Sequence, residues 1–171
     1  EVMAGLMPEP RRPGDSVELF NRAADMLRRA FVFGRNIGVK ICVGTETPLT
    51  VPAEVRERLK RAGKDFRDPA VIKELYKGVF GRIRASYPID YYWLWTNENW
   101  TWSDASEKDI QAVTTDLAQA QEAAAETGVP FGLATCGWVL GPPSRRTLFD
   151  DVLPKTTAVS TINREVGKAP V

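Results

Sequence analysis

Apolar residues recur along this chain in two alternating rhythms. Val17, Phe20, Ala24, Leu27 and Phe31 stand three or four positions apart, which puts their side chains on one face of an α-helix. Asp15 with Glu18 three positions on has the form of a capping box, so a helix is predicted from there to about Gly34. Three prolines and two glycines in the residues before it mark an irregular lead-in. Residues 39–43 (VKICV) then form a short β-branched run closed by Gly44, the pattern of a buried strand. Helical spacing returns from Pro52 through Val55 and Leu59, and again from Pro69 to about residue 85. The run YYWLW at 91–95 predicts the second strand. Ser103 or Ser106 can cap an alanine- and glutamine-rich helix running to Glu126, with Gly128 just past its end. Residues 131–136 and 158–162 read as two further strands, with a short helix at 147–153 between them.

Strand and helix in alternation are the signature of a parallel sheet with helices packed outside it. Each strand is followed by polar or aromatic residues: Thr45-Glu46, Asn97-Glu98, Gly137-Trp138 and Asn163-Arg164-Glu165. Ligands of parallel α/β folds bind at those carboxyl ends. A doubly wound sheet would carry a nucleotide or phosphate loop after an early strand, and neither GxGxxG nor GxxxxGK[ST] occurs. The expected fold is therefore an α/β (β/α)8 TIM barrel. Four strands do not close one, and a complete barrel has roughly 250 residues. Residues 1–171 are accordingly expected to be a single domain holding about four parallel βα units, an internal fragment of a longer barrel whose other strands lie on both sides. The alternative is a small self-contained α/β domain.

Composition narrows the chemistry. At 171 residues, 43% hydrophobic and 26% charged, the chain is globular in profile. Twenty-three basic against twenty-two acidic residues leave a formal charge of +1, so electrostatics point to neither nucleic acid nor an anionic membrane. No apolar run reaches the length of a membrane span. The chain has no histidine, which removes Ser-His-Asp and Cys-His nucleophiles, HExxH zinc sites and two-histidine iron sites. Carboxylates must carry any acid-base work, and no metal or cofactor is expected. Cys42 and Cys136 lie in separate apolar runs and read as buried reduced thiols, with a disulfide or redox pair as the alternative.

The segment YYWLWTNENWTW, from Tyr91 to Trp102, holds four of the five tryptophans around Asn97-Glu98. Carboxylate, amide and indole at one strand end suit the cleavage of sugars, since the acid works on the glycosidic oxygen while indole faces stack on sugar rings. Asn-Glu after an aromatic strand resembles the (β/α)8 glycoside hydrolases, above all the large retaining clan whose fourth strand ends in Asn-Glu. That resemblance, with the aromatic-rich strand ends, covers residues 39–165. It implies that Glu98 is the general acid/base and Asn97 the partner of the sugar 2-hydroxyl. It also implies that the nucleophile, on strand seven, falls beyond this chain, and that the protein is secreted or periplasmic. Asn99-Trp100 stand where many clan members have proline.

Within the chain Glu46, at the end of the neighbouring strand, is the competing second carboxylate; helix capping or bonding of loop amides is its alternative role. Trp100, Trp102 and Trp138 lie beyond the strand ends and are candidate sugar platforms, whereas Trp93 and Trp95 read as packing. Asn163 and Arg164 are candidate substrate contacts, with a structural ion pair the alternative for Arg164. The expected function is a glycoside hydrolase acting on an oligo- or polysaccharide through Glu98 and a second carboxylate, Glu46 or one outside the chain. A non-catalytic carbohydrate-binding barrel is the principal alternative, and a barrel enzyme with a small carbonyl or phosphorylated substrate a weaker one.

Overall fold

Four short runs rich in β-branched and aromatic residues pair into one parallel sheet in the order β1-β2-β3-β4. The strands are β1 (Cys42–Glu46), β2 (Tyr91–Trp95), β3 (Gly132–Gly137) and β4 (Ala158–Thr161). A computed structural model describes residues 13–137 and 139–161, the Pro13 and Cys136 side chains excepted. Among the described residues five α-helices join and flank the strands: α1 (Pro13–Asn36), α2 (Ala53–Arg61), α3 (Pro69–Ser86), α4 (Glu107–Thr127) and α5 (Leu148–Val152). Adjacent parallel strands in chain order, each reached through helical crossovers, are the arrangement expected of consecutive βα units.

Sheet register shifts one element from its sequence reading. Val39 is half exposed, and β1 begins three residues later, at Cys42. Asp90 decides this: its carboxylate accepts from the Ile41 amide at 2.9 Å, and the amides of Asp90 and Tyr91 both return to the Ile41 carbonyl. Cys42 is thereby paired with Tyr91 and Glu46 with Trp95. Glu46 becomes the last residue of the strand. Gly44 faces Trp93 across that ladder, and a Cβ there would lie 2.0 Å from the Trp93 carbonyl oxygen. Only glycine lets the two strands approach so closely.

Helix ends follow local chemistry. Asp68 caps α3, accepting from the Ala70 amide at 2.8 Å, with Pro69 in the first turn where its missing N–H costs nothing. Ser106 rather than Ser103 caps α4, and Gly128 ends it in the left-handed region at φ 57°. Helix α1 starts at Pro13, so Asp15 lies in its first turn and is not its cap.

Tyr92 and Leu94, alternate residues of β2, are buried under the helices. The Phe80 ring of α3 stands edge-on to Tyr92 at 5.0 Å and to Phe131 at 5.6 Å. Val113, Leu117, Ala120 and Ala123 of α4 complete this core. Lys73 and Lys77 of α3 reach Glu126 of α4, each at 2.8 Å, along the outer seam.

The opposite sheet face is bare among the described residues. Cys42, Gly44 and Glu46 of β1 and Ala158 and Ser160 of β4 are exposed on it, and Tyr91, Trp93 and Trp95 are half-buried. Ala134, in register with Trp93, is buried there. Cys42 is thus an exposed free thiol and not a buried one. The apolar stripe of α1 is likewise largely uncovered: Val17, Phe20 and Leu27 are exposed, while Phe31 docks edge-on to Tyr87 at 5.4 Å and the Arg82 guanidinium lies over the Phe20 ring at 6.0 Å. No described helix is long and apolar enough to cross a membrane.

Candidate functional site

Parallel strands deliver all their carboxyl ends to one edge of the sheet, and here that edge is stitched by threonines. The Thr47 amide and hydroxyl both donate to the Trp95 carbonyl, at 2.7 and 2.9 Å, tying the exit of β1 to the exit of β2. The Thr135 hydroxyl donates to the Leu94 carbonyl at 2.9 Å, and that of Thr96 to the Val139 carbonyl at 3.4 Å. All three threonines are buried. Their hydroxyls satisfy backbone carbonyls where the ladder ends.

Two sequence-proposed carboxylates share this edge. Glu46 is exposed at the last position of β1, in register with Trp95. Three residues past Trp95, Glu98 is exposed at the start of a 3-10 turn, Glu98–Thr101. Asn97 precedes the turn at its N-cap position without bonding the turn's amides through its side chain. The fold thus brings Glu46, Asn97 and Glu98 to neighbouring strand ends.

The turn sorts the tryptophans. Its tight backbone, with the Trp100 amide donating to the Asn97 carbonyl and the Trp102 amide to that of Asn99, sends consecutive residues to different sides. Glu98 and Asn99 face outward while Trp100 and Thr101 face inward. Trp100 is 1% exposed, its ring 6.2 Å from that of Phe149 in the core. It offers no face to a sugar, which corrects its reading as a platform. Trp102 is 67% exposed. On the bare sheet face Trp93 and Trp95 lie 6.2 Å apart at 36°. Trp138, Asn163 and Arg164 lie outside the described residues.

Sequence reasoning missed the groups that hold this loop. The Arg146 guanidinium donates to the carbonyls of Trp100, Thr101 and Gly141 at 2.7, 2.9 and 3.0 Å. Asp104 accepts from the Ser144 hydroxyl at 2.6 Å and from its amide at 3.3 Å. The Ser144 hydroxyl, with the nearby amides and Arg146, holds the Asp104 carboxyl below the usual aspartate range. Arg146 sits in a run, Ser-Arg-Arg, that looks in sequence like an ordinary solvated loop. A second buried polar cluster lies behind β1: Asp116 of α4 accepts from the Tyr76 hydroxyl and from the Leu49 amide at 3.2 Å. Desolvation raises its carboxyl above the usual range. It borders an apolar cleft of about 330 Å³ between the β1–α2 loop, α3 and α4. Among the described residues no three His, Cys, Asp or Glu side chains converge as a metal site requires.

Comparison with protein-family models, with curated proteins and with solved structures finds no match.

Proposed function

We propose that this chain forms four consecutive βα units of a (β/α)8 barrel that hydrolyses glycosidic bonds in an oligo- or polysaccharide, with Glu98 as the general acid/base. The observation that carries the reading is the shared strand-end edge to which the fold brings Glu46, Asn97 and Glu98, with the exposed Trp102 following the turn after β2. The bare sheet face supports the barrel: a sheet covered by helices on one side and lined by Tyr91, Trp93 and Trp95 on the other has the polarity of a barrel wall with its interior opened. The uncovered stripe of α1 fits the same view, since a barrel helix packs against neighbouring units on either side.

In the proposed chemistry Glu98 delivers its proton to the glycosidic oxygen as the bond from that oxygen to the anomeric carbon breaks. A second carboxylate either attacks the anomeric carbon, giving a glycosyl ester that water then cleaves while Glu98 takes the water's proton, or takes a proton from a water that attacks the anomeric carbon directly. Glu46 is the candidate inside the chain, and a residue ending a later strand is the candidate outside it. A separation of about 5 to 5.5 Å between the carboxyl groups goes with attack and retention, and about 6.5 to 9.5 Å with activated water and inversion. Asn97 would bond a sugar hydroxyl, and Trp102 would stack on a ring.

Glu98→Gln in the full-length protein tests this. The amide preserves shape and one acceptor but has no proton to deliver, so turnover on natural oligosaccharide is expected to fall about 10²- to 10⁴-fold with binding retained. Aryl glycosides with good leaving groups need less protonation and are expected to lose less. Wild-type turnover in Glu98→Gln would refute the assignment. Sugar binding with no hydrolysis even in the wild-type protein would leave the carbohydrate-binding barrel.

A further inference from the structure

A general acid works only if its carboxyl is held against the leaving oxygen, yet Glu98 sits exposed on a four-residue turn with no described element over it. Such a turn has no long helix or ladder of its own to fix it. What fixes it lies in the next loop. The Arg146 fork closes on Trp100 and Thr101, the last two residues of the turn, while the same Nη1 also grips Gly141 at the exit of β3. Three carbonyls from two loops converge on one planar cation, a geometry for five fixed N–H donors that a lysine ammonium does not reproduce. Gly141 is built into this closure, because a Cβ on it would lie 1.9 Å from the Arg145 carbonyl oxygen. Asp104, just past the turn, repeats the link through Ser144 at 2.6 Å.

We propose that Arg146 is a positioning residue that latches the Glu98 turn to the loop after β3 and so sets where the acid stands, with Asp104 and Ser144 as a second catch. Its catalytic consequence rests on the glycosidase reading above; the latch itself does not. Trp100 anchors the turn from below through its ring, and Arg146 anchors it from the side through the backbone. The two act on different degrees of freedom. The ring resists lifting of the turn, and the fork resists sliding of its carbonyls relative to β3. A displacement of about 1 Å at a reacting group can cost on the order of 10²-fold in rate.

Arg146→Ala, Arg146→Lys and the milder Ser144→Ala, made in the full-length protein, test the latch by amide hydrogen exchange and by kinetics. Arg146→Ala is expected to speed exchange of the Trp100, Trp102 and Ser103 amides at least about tenfold while amides of β2 and α4 stay protected. Arg146→Lys should recover little of that protection, since charge without the fork leaves the carbonyls unshared. Ser144→Ala should show the same local pattern more weakly, and it serves if the Arg146 variants do not fold. On natural oligosaccharide, kcat should fall about 10- to 100-fold with KM changed less than about twofold, and aryl glycosides should lose less. Combined with Glu98→Gln, Arg146→Ala should cost nothing further, because the acid it positions is gone. Unchanged exchange in the turn overturns the latch. Equal losses on both substrates, multiplying with those of Glu98→Gln, would overturn its action through Glu98. Wild-type turnover of Glu98→Gln alone would remove the glycosidase reading, and the exchange data would still decide the latch.

Discussion

Trp100 and Trp102 are two positions apart and identical in type, and the structure buries one and leaves the other largely in solvent. Trp100→Ala removes a ring that is 1% exposed and packed on Phe149. An indole buries about 150–250 Å², which at about 25 cal/mol per Å² corresponds to roughly 4–6 kcal/mol. That is an upper figure because the unfolded chain already hides part of its surface. Measured truncations of buried aromatic residues cost about 3–5 kcal/mol, and the two ranges overlap near 4. At about 2–4 °C per kcal/mol for a domain of this size, the melting temperature should fall by at least about 6 °C. Trp102→Ala, by contrast, removes an indole that is 67% exposed and should change stability by no more than about 0.5 kcal/mol. The assay is urea unfolding followed by far-UV circular dichroism, which does not depend on the fluorescence being deleted, at matched low concentration. It is paired with oligosaccharide titration of each folded variant. Trp102→Ala should weaken sugar binding by about 1 kcal/mol if its ring stacks, and Trp100→Phe should recover part of the lost stability. Undiminished stability in Trp100→Ala together with lost sugar binding would refute both the burial argument and the division of roles.

Tyr76→Phe strips Asp116 of one donor, and hydrogen bonds to a charged group are worth about 1.5–3 kcal/mol. Because desolvation already raises the folded Asp116 carboxyl, the folded state holds its proton to higher pH than the unfolded chain does. Stability from this group therefore falls as pH rises from the unfolded aspartate range through the folded value. Removing the donor raises the carboxyl further, so the variant should lose more stability near about pH 7 than near about pH 4, as melts at both values would reveal; an equal loss at both would show that Asp116 does not titrate there. Gly44→Ala places a methyl against the Trp93 carbonyl oxygen and should cost about 1–3 kcal/mol, toward the upper end because the obstacle is backbone; a neutral effect in a thermal melt would contradict the strand spacing. Among the described residues the Trp93 and Trp95 face and the outer edges of β1 and β4 lack a covering element, so isolated residues 1–171 should self-associate in light scattering. A monomer with a single cooperative melt would favour the self-contained domain.

Periodicity alone was enough to locate most elements. Apolar spacing marked α3 and α4, the aromatic run marked β2, and Pro69, Ser106 and Gly128 acted as local stops and starts because capping depends on residues only a few positions apart. The α/β class and the parallel order followed from alternation, since helical crossovers leave adjacent strands no other direction. Placement of Asn97 and Glu98 at a strand end was legible for the same reason. Long-range pairing decided the rest. The start of β1 depends on Asp90, forty-nine residues from Ile41, and no local pattern in VKICV reveals that partner. Trp100 and Trp102 look alike in sequence because both follow the same strand; the 3-10 turn and the ring of Phe149 separate them. Arg146 could not be found by spacing at all, because its partners are main-chain carbonyls, which every residue carries and no sequence distinguishes.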